Sequence, residues 1–127
     1  MFKFNNKYRN KELTLTYRES YLIILTNLVQ ILSNASLIAQ AQVAQTLIGL
    51  LEQQKDEQFI KFLNGVDMWG GSGAVWEVNI EEVGKNREFE MEIIKLIDLM
   101  KETNILGKGI KPIRKIFEEN VKRNKNC

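Results

Sequence analysis

The chain has 127 residues, of which 44% are hydrophobic and 27% are charged, so its length and composition favour one globular domain and exclude wholesale disorder. It contains no histidine, which excludes the usual general base, the usual zinc ligand and every Ser-His or Cys-His nucleophile pair. Its single cysteine, Cys127, cannot form an internal disulfide. We therefore predict a single domain over residues 1–127 that is not an enzyme and binds no cofactor or metal.

Charge is distributed unevenly, although the net charge is only +2. Residues 1–18 carry five bases and one acid, residues 49–100 carry eleven acids and five bases, and residues 101–127 carry eight bases and three acids. Such a distribution bears on the attraction of partners more than on the fold. We predict that residues 1–15 form a basic N-terminal arm and that residues 122–127 form a frayed basic tail.

Neither the N-terminus nor the long uncharged run of the chain predicts a secretory or membrane segment. The first eleven residues contain no continuous apolar stretch of the kind that a signal peptide requires, which predicts a cytoplasmic protein. From Ser20 to Leu51 there is no charged side chain, but amides and hydroxyls interrupt the run. A buried helical hairpin is therefore favoured over a membrane span. Its uncharged polar residues could equally line an oligomer or partner contact.

Two helices are predicted in this first half of the chain. Thr16 and Glu19 fit a capping box, and apolar residues then recur every three or four positions up to Leu32. Residues 34–36 mark a break and supply a new N-cap. The second helix continues the apolar spacing to Leu51.

Further helices are predicted in the second half. Asp56 can cap a short helix that ends at residues 64–65 in a left-handed turn. A longer helix opens near Asn86, with acids in its first turn, and breaks at residues 107–109. Pro112 suits the first turn of the last helix. The sequence therefore predicts a mainly α fold, a single-domain bundle of four to five helices with a Gly/Trp-rich loop and at most a short β element.

The Gly/Trp-rich loop is the most informative part of the sequence, because residues 67–78 hold three of the eight glycines and both tryptophans. No P-loop or complete dinucleotide fingerprint is present. The favoured interpretation is a tight loop that folds Trp69 and Trp76 back over the helices, while a partner-binding loop and an anion-binding nest stay open. The alternation of Trp76, Val78 and Ile80 predicts a short strand or extended segment. The glycines that we assign to the architecture of this loop are Gly70, Gly71 and Gly73.

Acidic residues cluster at and after the loop. No Asp-x-Asp-x-Asp loop exists, so the cluster does not predict a calcium site. A solvated helix face and a patch that attracts a basic partner are both compatible with the pattern. The side chains that we predict to contact a partner are Trp69, Trp76, Glu77, Glu81, Glu82, Glu88 and Glu92.

A basic patch follows near the C-terminus. Such a patch can bind nucleic acid through counterion release. However, Glu118 and Glu119 interrupt it, and no stacking aromatics accompany it, so a polar outer face is the favoured interpretation. The members of the patch are Lys108, Lys111, Arg114, Lys115, Lys122, Arg123 and Lys125.

The segment from Trp69 to Val78 resembles a motif found in a family of small bacterial helical proteins. That motif has a bulky residue, Gly-Gly, any residue, Gly, a small residue and, after two further positions, an acid. It follows a helical hairpin and precedes a C-terminal helical half, which is the order predicted here. Some members of the family resemble immunity proteins encoded beside toxins of inter-bacterial competition systems. The residues that match the motif are Trp69, Gly70, Gly71, Gly73 and Glu77.

The resemblance implies a cytoplasmic immunity-type protein that binds a cognate bacterial toxin and neutralises it stoichiometrically. If the toxin is a nuclease, its substrate groove is expected to be basic, and the acidic residues with both tryptophans would cover it. The alternative is a nucleic-acid-associated accessory protein that uses the basic C-terminal helix. No membrane partner is expected.

Overall fold

The computed structural model describes residues 15–107 and 109–125, with side chains up to residue 123. Most of these residues are helical, so the predicted mainly α bundle is confirmed. Residues 1–14 of the predicted basic arm, Lys108, and the last two residues of the predicted tail lie outside the described residues. The helices are α1 (Leu15–Asn34), α2 (Ile38–Glu52), α3 (Asp56–Leu63), the one-turn α4 (Val66–Trp69), α5 (Val83–Glu102) and α6 (Lys111–Lys125).

The described parts of the chain contain no β strand. The segment with alternating apolar residues begins as a 3-10 turn at Val75–Glu77 and continues with extended backbone at Val78 (φ −63°, ψ 139°). A strand bonds its backbone groups to a neighbouring strand, and no such neighbour exists among the described residues. The alternation therefore marks an extended segment, and Ile80 at its end is buried in the core.

Helix α1 is the centre of the bundle, because it packs against both α2 and α5. It runs antiparallel to α5. Tyr17 Oη donates a hydrogen bond to Glu102 Oε2 (3.3 Å), and further along Asn27 Nδ2 donates to Glu92 Oε1 (3.4 Å). Helix α6 packs on α5, and α3 packs on α2. The second half of α1 therefore faces the first half of α5.

The core is built on the helical hairpin that the uncharged run from residue 20 to residue 51 predicts. Tyr21 is fully buried, its hydroxyl lies 2.7 Å from Thr103 Oγ1, and its ring meets Phe59 edge-on at 5.1 Å. Burial raises the pKa of Tyr21, so the hydroxyl stays neutral. None of the described helices combines the length and the hydrophobicity that crossing a membrane requires.

Three helices end at a left-handed residue that is not glycine. These residues are Ser36 after α1 (φ 62°), Gln54 after α2 (φ 58°) and Asn104 after α5 (φ 64°). In each case the following N–H bonds to the carbonyl five positions earlier, with an N···O distance of 2.9 Å. Ser36 thus ends α1 rather than capping α2, and α5 ends before residues 107–109 rather than at them.

Several predicted helix boundaries also differ from the structure. Helix α1 already includes Thr16, α5 begins before Asn86, and residues 64–65 end α3 with negative φ angles. Asp56 is the first residue of α3 and not its N-cap, which is Lys55, and the Asp56 carboxylate is bonded to Arg18 of α1.

Arg18 joins three helices through one side chain. Its Nη1 and Nη2 donate to Asp56 Oδ1 (2.8 Å) and Oδ2 (3.3 Å), and Nη1 also donates to the Leu51 carbonyl (3.4 Å). A bidentate guanidinium–carboxylate pair holds its partners in a fixed relative orientation. The end of α2 and the start of α3 are thereby fixed against α1.

Candidate functional site

Both tryptophans of the Gly/Trp loop direct their polar atoms inward. Trp69 Nε1 donates to the Leu63 carbonyl (2.7 Å), and Trp76 Nε1 donates to the Gly70 carbonyl (2.8 Å). The Trp76 ring also meets Phe117 of α6 edge-on at 6.4 Å. Both rings are half-buried and pack against the core, so they hold the loop to α3 and α6.

At two of the three loop glycines, the backbone does not accept a larger residue without strain or a steric clash. A Cβ at Gly70 would lie 2.6 Å from the Val66 carbonyl oxygen, and Gly73 has a φ of +90°. Gly71 meets neither condition, because a Cβ there would touch nothing within 4 Å. Gln40 Nε2 donates to the Gly73 carbonyl (3.0 Å), which attaches the loop to α2.

A groove of about 1120 Å³ opens between the second half of α1, the first half of α5 and residues 79–82. We call it the acidic groove. Four of the seven predicted contact residues line it, whereas Trp69, Trp76 and Glu77 do not. The structure therefore separates four of the five predicted acids from both tryptophans and Glu77. The four carboxylates of the acidic groove are Glu81, Glu82, Glu88 and Glu92.

Among the described residues that line the acidic groove, carboxylates outnumber ammonium groups, and the bases are Lys85 and Lys95. Lys85 Nζ lies 3.9 Å from Glu88 Oε1, and both side chains are exposed. Glu81 and Glu82 are exposed and form no ion pair within the part of the chain that the structure describes. Exposed charges of this kind contribute little to stability, so they can attract a partner without weakening the fold.

The opposite wall of the acidic groove is uncharged. It comes from α1 and presents amide side chains at three- and four-residue spacing, which places them on one helix face. The sequence indicates these uncharged polar residues only as candidates for an oligomer or partner contact, because no pattern in it connects them with the acids. The amides are Asn27, Gln30 and Asn34, and the apolar side chains of the lining include Ile31, Leu37, Ile80 and Met91.

Glu92 differs from the other acids of the groove because it is only 8% exposed. Its Oε1 accepts from Asn27 Nδ2 (3.4 Å), and its Oε2 accepts from Lys95 Nζ (3.1 Å). The Lys95 side chain is 57% exposed. The groove thus contains a buried carboxylate whose charged partner is largely in solvent.

Glu90 belongs to the predicted acidic cluster, yet it is buried between α5 and α6 and outside the groove. Its Oε2 accepts from Asn86 Nδ2 (3.3 Å) and Asn120 Nδ2 (3.4 Å), while its buried Oε1 has no hydrogen-bond partner among the described residues. Burial raises the pKa of Glu90, and the two amide hydrogen bonds lower it in part. Asn86 also accepts from the Ile80 N–H (2.8 Å), which connects Glu90 to the edge of the groove.

The described residues contain no group of three or more acids that could hold a metal ion.

On α6, the Arg114 side chain of the predicted basic patch is bonded within the protein. Its Nε and Nη2 donate to Asp98 of α5 (2.7 and 3.2 Å), and its Nη1 lies 3.2 Å from Glu118. Lys111, Lys115, Lys122 and Arg123 of the predicted patch are exposed, but Glu118 and Glu119 lie among them on the same helix.

The acidic groove and the Gly/Trp loop lie close together in sequence, and the groove brings four carboxylates together in one concave surface. A smaller concavity of about 370 Å³ beside the start of the loop is lined by Lys61 and Asp67, one charge of each sign. Comparison with known proteins gives no match to any family model, any curated protein or any solved structure.

Proposed function

We propose that this protein is a cytoplasmic, immunity-type binding protein that neutralises a cognate bacterial toxin by stoichiometric contact. The observation that supports this proposal most directly is the acidic groove, a concavity of about 1120 Å³ to which the described lining residues contribute four carboxylates and two ammonium groups. A concave surface with a net negative charge speeds association with a basic partner and disfavours acidic partners. The motif that ends at Glu77 contributes the resemblance to immunity proteins.

The contact surface in this proposal is the acidic groove rather than the tryptophans. The indole N–H groups of Trp69 and Trp76 are bonded within the protein, and both rings pack against the core. Their contribution is to fix the loop that precedes residues 79–82. If the toxin is a nuclease, its phosphate-binding surface is basic and is therefore opposite in charge to the groove.

The alternative, a nucleic-acid-associated protein that uses α6, has less support. Arg114 is held by Asp98 and Glu118, so it is not free to contact phosphate. Glu118 and Glu119 also place negative charge among the exposed lysines of the same helix. Retention on a polyanion at low salt, with a steep salt dependence, would favour this alternative over the proposal.

The proposal is tested by co-expressing the chain with the product of the neighbouring reading frame and measuring both a tagged pull-down and the relief of toxicity. The groove variant combines Glu81→Lys, Glu82→Lys and Glu88→Lys, which are exposed positions. It should slow association by at least about tenfold, because the electrostatic attraction is reversed. A neighbour that is harmless and does not bind would count against the immunity function.

A matched control makes the same charge change outside the groove. Glu19→Lys, Glu52→Lys and Glu119→Lys alter exposed acids that do not line it. The control should retain association within about twofold, because long-range attraction is screened over roughly 8 to 10 Å at physiological salt. Equal slowing by the two triple variants would show that net charge, and not the groove, drives association.

A further inference from the structure

We propose that the acidic groove selects arginine over lysine, and that Glu92 is the residue that makes this selection. This inference rests on the proposed function, since it assumes that a basic segment of a partner protein enters the groove. The anchoring event is a guanidinium group that pairs with Glu92 in the place that the Lys95 ammonium group takes in the free protein.

The first support is the incomplete pairing of Glu92. A carboxylate has about four lone-pair directions, whereas each oxygen of Glu92 receives one donor in the structure. The Asn27 bond is long at 3.4 Å, and the Lys95 side chain is 57% exposed. The Glu92 side chain is only 11% exposed and is therefore poorly hydrated, so a stronger charged donor stabilises its carboxylate more than it would stabilise an exposed acid.

Lys95 acts in this arrangement as an internal substitute for the partner's cation. It lies one helical turn from Glu92, and its Nζ approaches only Oε2, at 3.1 Å. More than half of the side chain is in solvent, so it can move aside at low cost. An incoming lysine would replace one ammonium contact with another and gain little.

An incoming arginine gains more, because its planar guanidinium can donate to both oxygens of Glu92 at once. The surrounding groove suits the rest of the side chain. The amide oxygens of Gln30 and Asn34 line the same space and can accept the remaining N–H groups, and apolar side chains can contact the methylenes.

The rim acids have a different role from Glu92. Glu81, Glu82 and Glu88 are exposed, so they attract any basic segment without distinguishing its side chains. The groove therefore combines a general attraction at its rim with a selective contact at one buried carboxylate.

The test compares two labelled probes of equal charge, nona-arginine and nona-lysine, binding to the full-length protein at low salt by fluorescence anisotropy. Nona-arginine should bind at least about tenfold more tightly, the ratio that one additional charge-assisted bidentate contact supplies. Glu92→Gln should reduce this preference to about twofold or less. Glu88→Gln removes the same charge from the rim. It should weaken the binding of both probes while leaving the preference for nona-arginine unchanged.

Equal binding of the two probes to the wild-type protein would overturn the arginine anchor, and this comparison depends on no variant. A preference that survives in a folded Glu92→Gln variant would overturn the assignment to Glu92. In either case the proposed function stands if the groove variant, in which Glu81, Glu82 and Glu88 are changed to lysine, still slows association with the toxin. If this variant has no effect on that association, the groove is not the contact surface and the arginine anchor fails with it, whereas a neighbour that neither binds nor is toxic would remove the proposed function itself.

Discussion

The Gly/Trp loop and the acidic groove lie next to each other in sequence but use their polar atoms in opposite ways. In the loop, the indole N–H groups of Trp69 and Trp76 and the carbonyl of Gly73 are bonded within the protein. In the groove, Glu81 and Glu82 are exposed and have no ion pair among the described residues. The difference indicates that the loop stabilises the fold, whereas the groove is available to a partner. Changes in the loop should therefore alter stability, and changes at the groove rim should alter association.

The largest expected effect is in the loop. Trp76→Ala should lower the free energy of unfolding by about 3 kcal/mol, because it removes the packing on Phe117 and the hydrogen bond to Gly70. Trp76→Phe retains an aromatic ring and should cost only about 1 kcal/mol for the lost hydrogen bond. Urea denaturation followed by circular dichroism measures both. A stable Trp76→Ala protein that binds its partner poorly would instead place Trp76 on the contact surface.

The next prediction compares two adjacent glycines of the motif, Gly70 and Gly71, which should differ in their effect on stability. Gly70→Ala should lower the free energy of unfolding by about 2 kcal/mol, because its Cβ would lie 2.6 Å from a backbone oxygen that cannot easily move. Gly71→Ala should change it by less than about 0.5 kcal/mol, since its Cβ would enter open space. The same denaturation experiment checks the pair. Equal losses at the two positions would show that Gly71 has a packing role that the structure does not contain.

Sequence patterns predicted the helices because their apolar residues recur at helical spacing and become the buried face. Residues 25, 28 and 32 of α1 and residue 51 of α2 are fully buried, as that spacing requires. The helix ends were harder to predict. Ser36, Gln54 and Asn104 take left-handed conformations that glycine usually takes, so a search for glycine places the end of α5 too late.

The candidate site was only partly predictable. Four acids of the groove follow one another closely in the sequence, and so they stand out as a cluster. The amides of α1 are distant from them in the sequence, and only the antiparallel packing of α1 on α5 brings Asn27 to Glu92, which lies 65 residues further along the chain. Burial also could not be read from the pattern: Glu88, Glu90 and Glu92 look alike in sequence, but only the last two are buried.

The last stability effect that we predict concerns Glu90, which connects the two regions. Asn86 links it to Ile80 beside the groove, and Asn120 links it to α6, which also carries the Phe117 that packs on Trp76. Glu90→Gln should raise the free energy of unfolding by about 1 kcal/mol at pH 7, because a neutral amide does not carry the cost of a buried charge with one unbonded oxygen. Glu88→Gln is the matched control, since it removes an exposed charge on the same helix and should have almost no effect.

The direction in which the effect of Glu90→Gln changes with pH follows from the pKa of Glu90. Burial raises the pKa of Glu90 above its ordinary value of 4.5, so the folded protein binds this proton more tightly than the unfolded chain does. The stabilisation from the protonated carboxyl is complete below the pKa of Glu90 in the unfolded chain. It is lost as the pH rises through the pKa of Glu90 in the folded protein. The advantage of Glu90→Gln over the wild type should therefore be present at pH 7 and shrink as the pH falls towards 4. Urea denaturation of both proteins across this range measures it, and an advantage that grows in acid would mean that the folded protein stabilises the ionised form of Glu90.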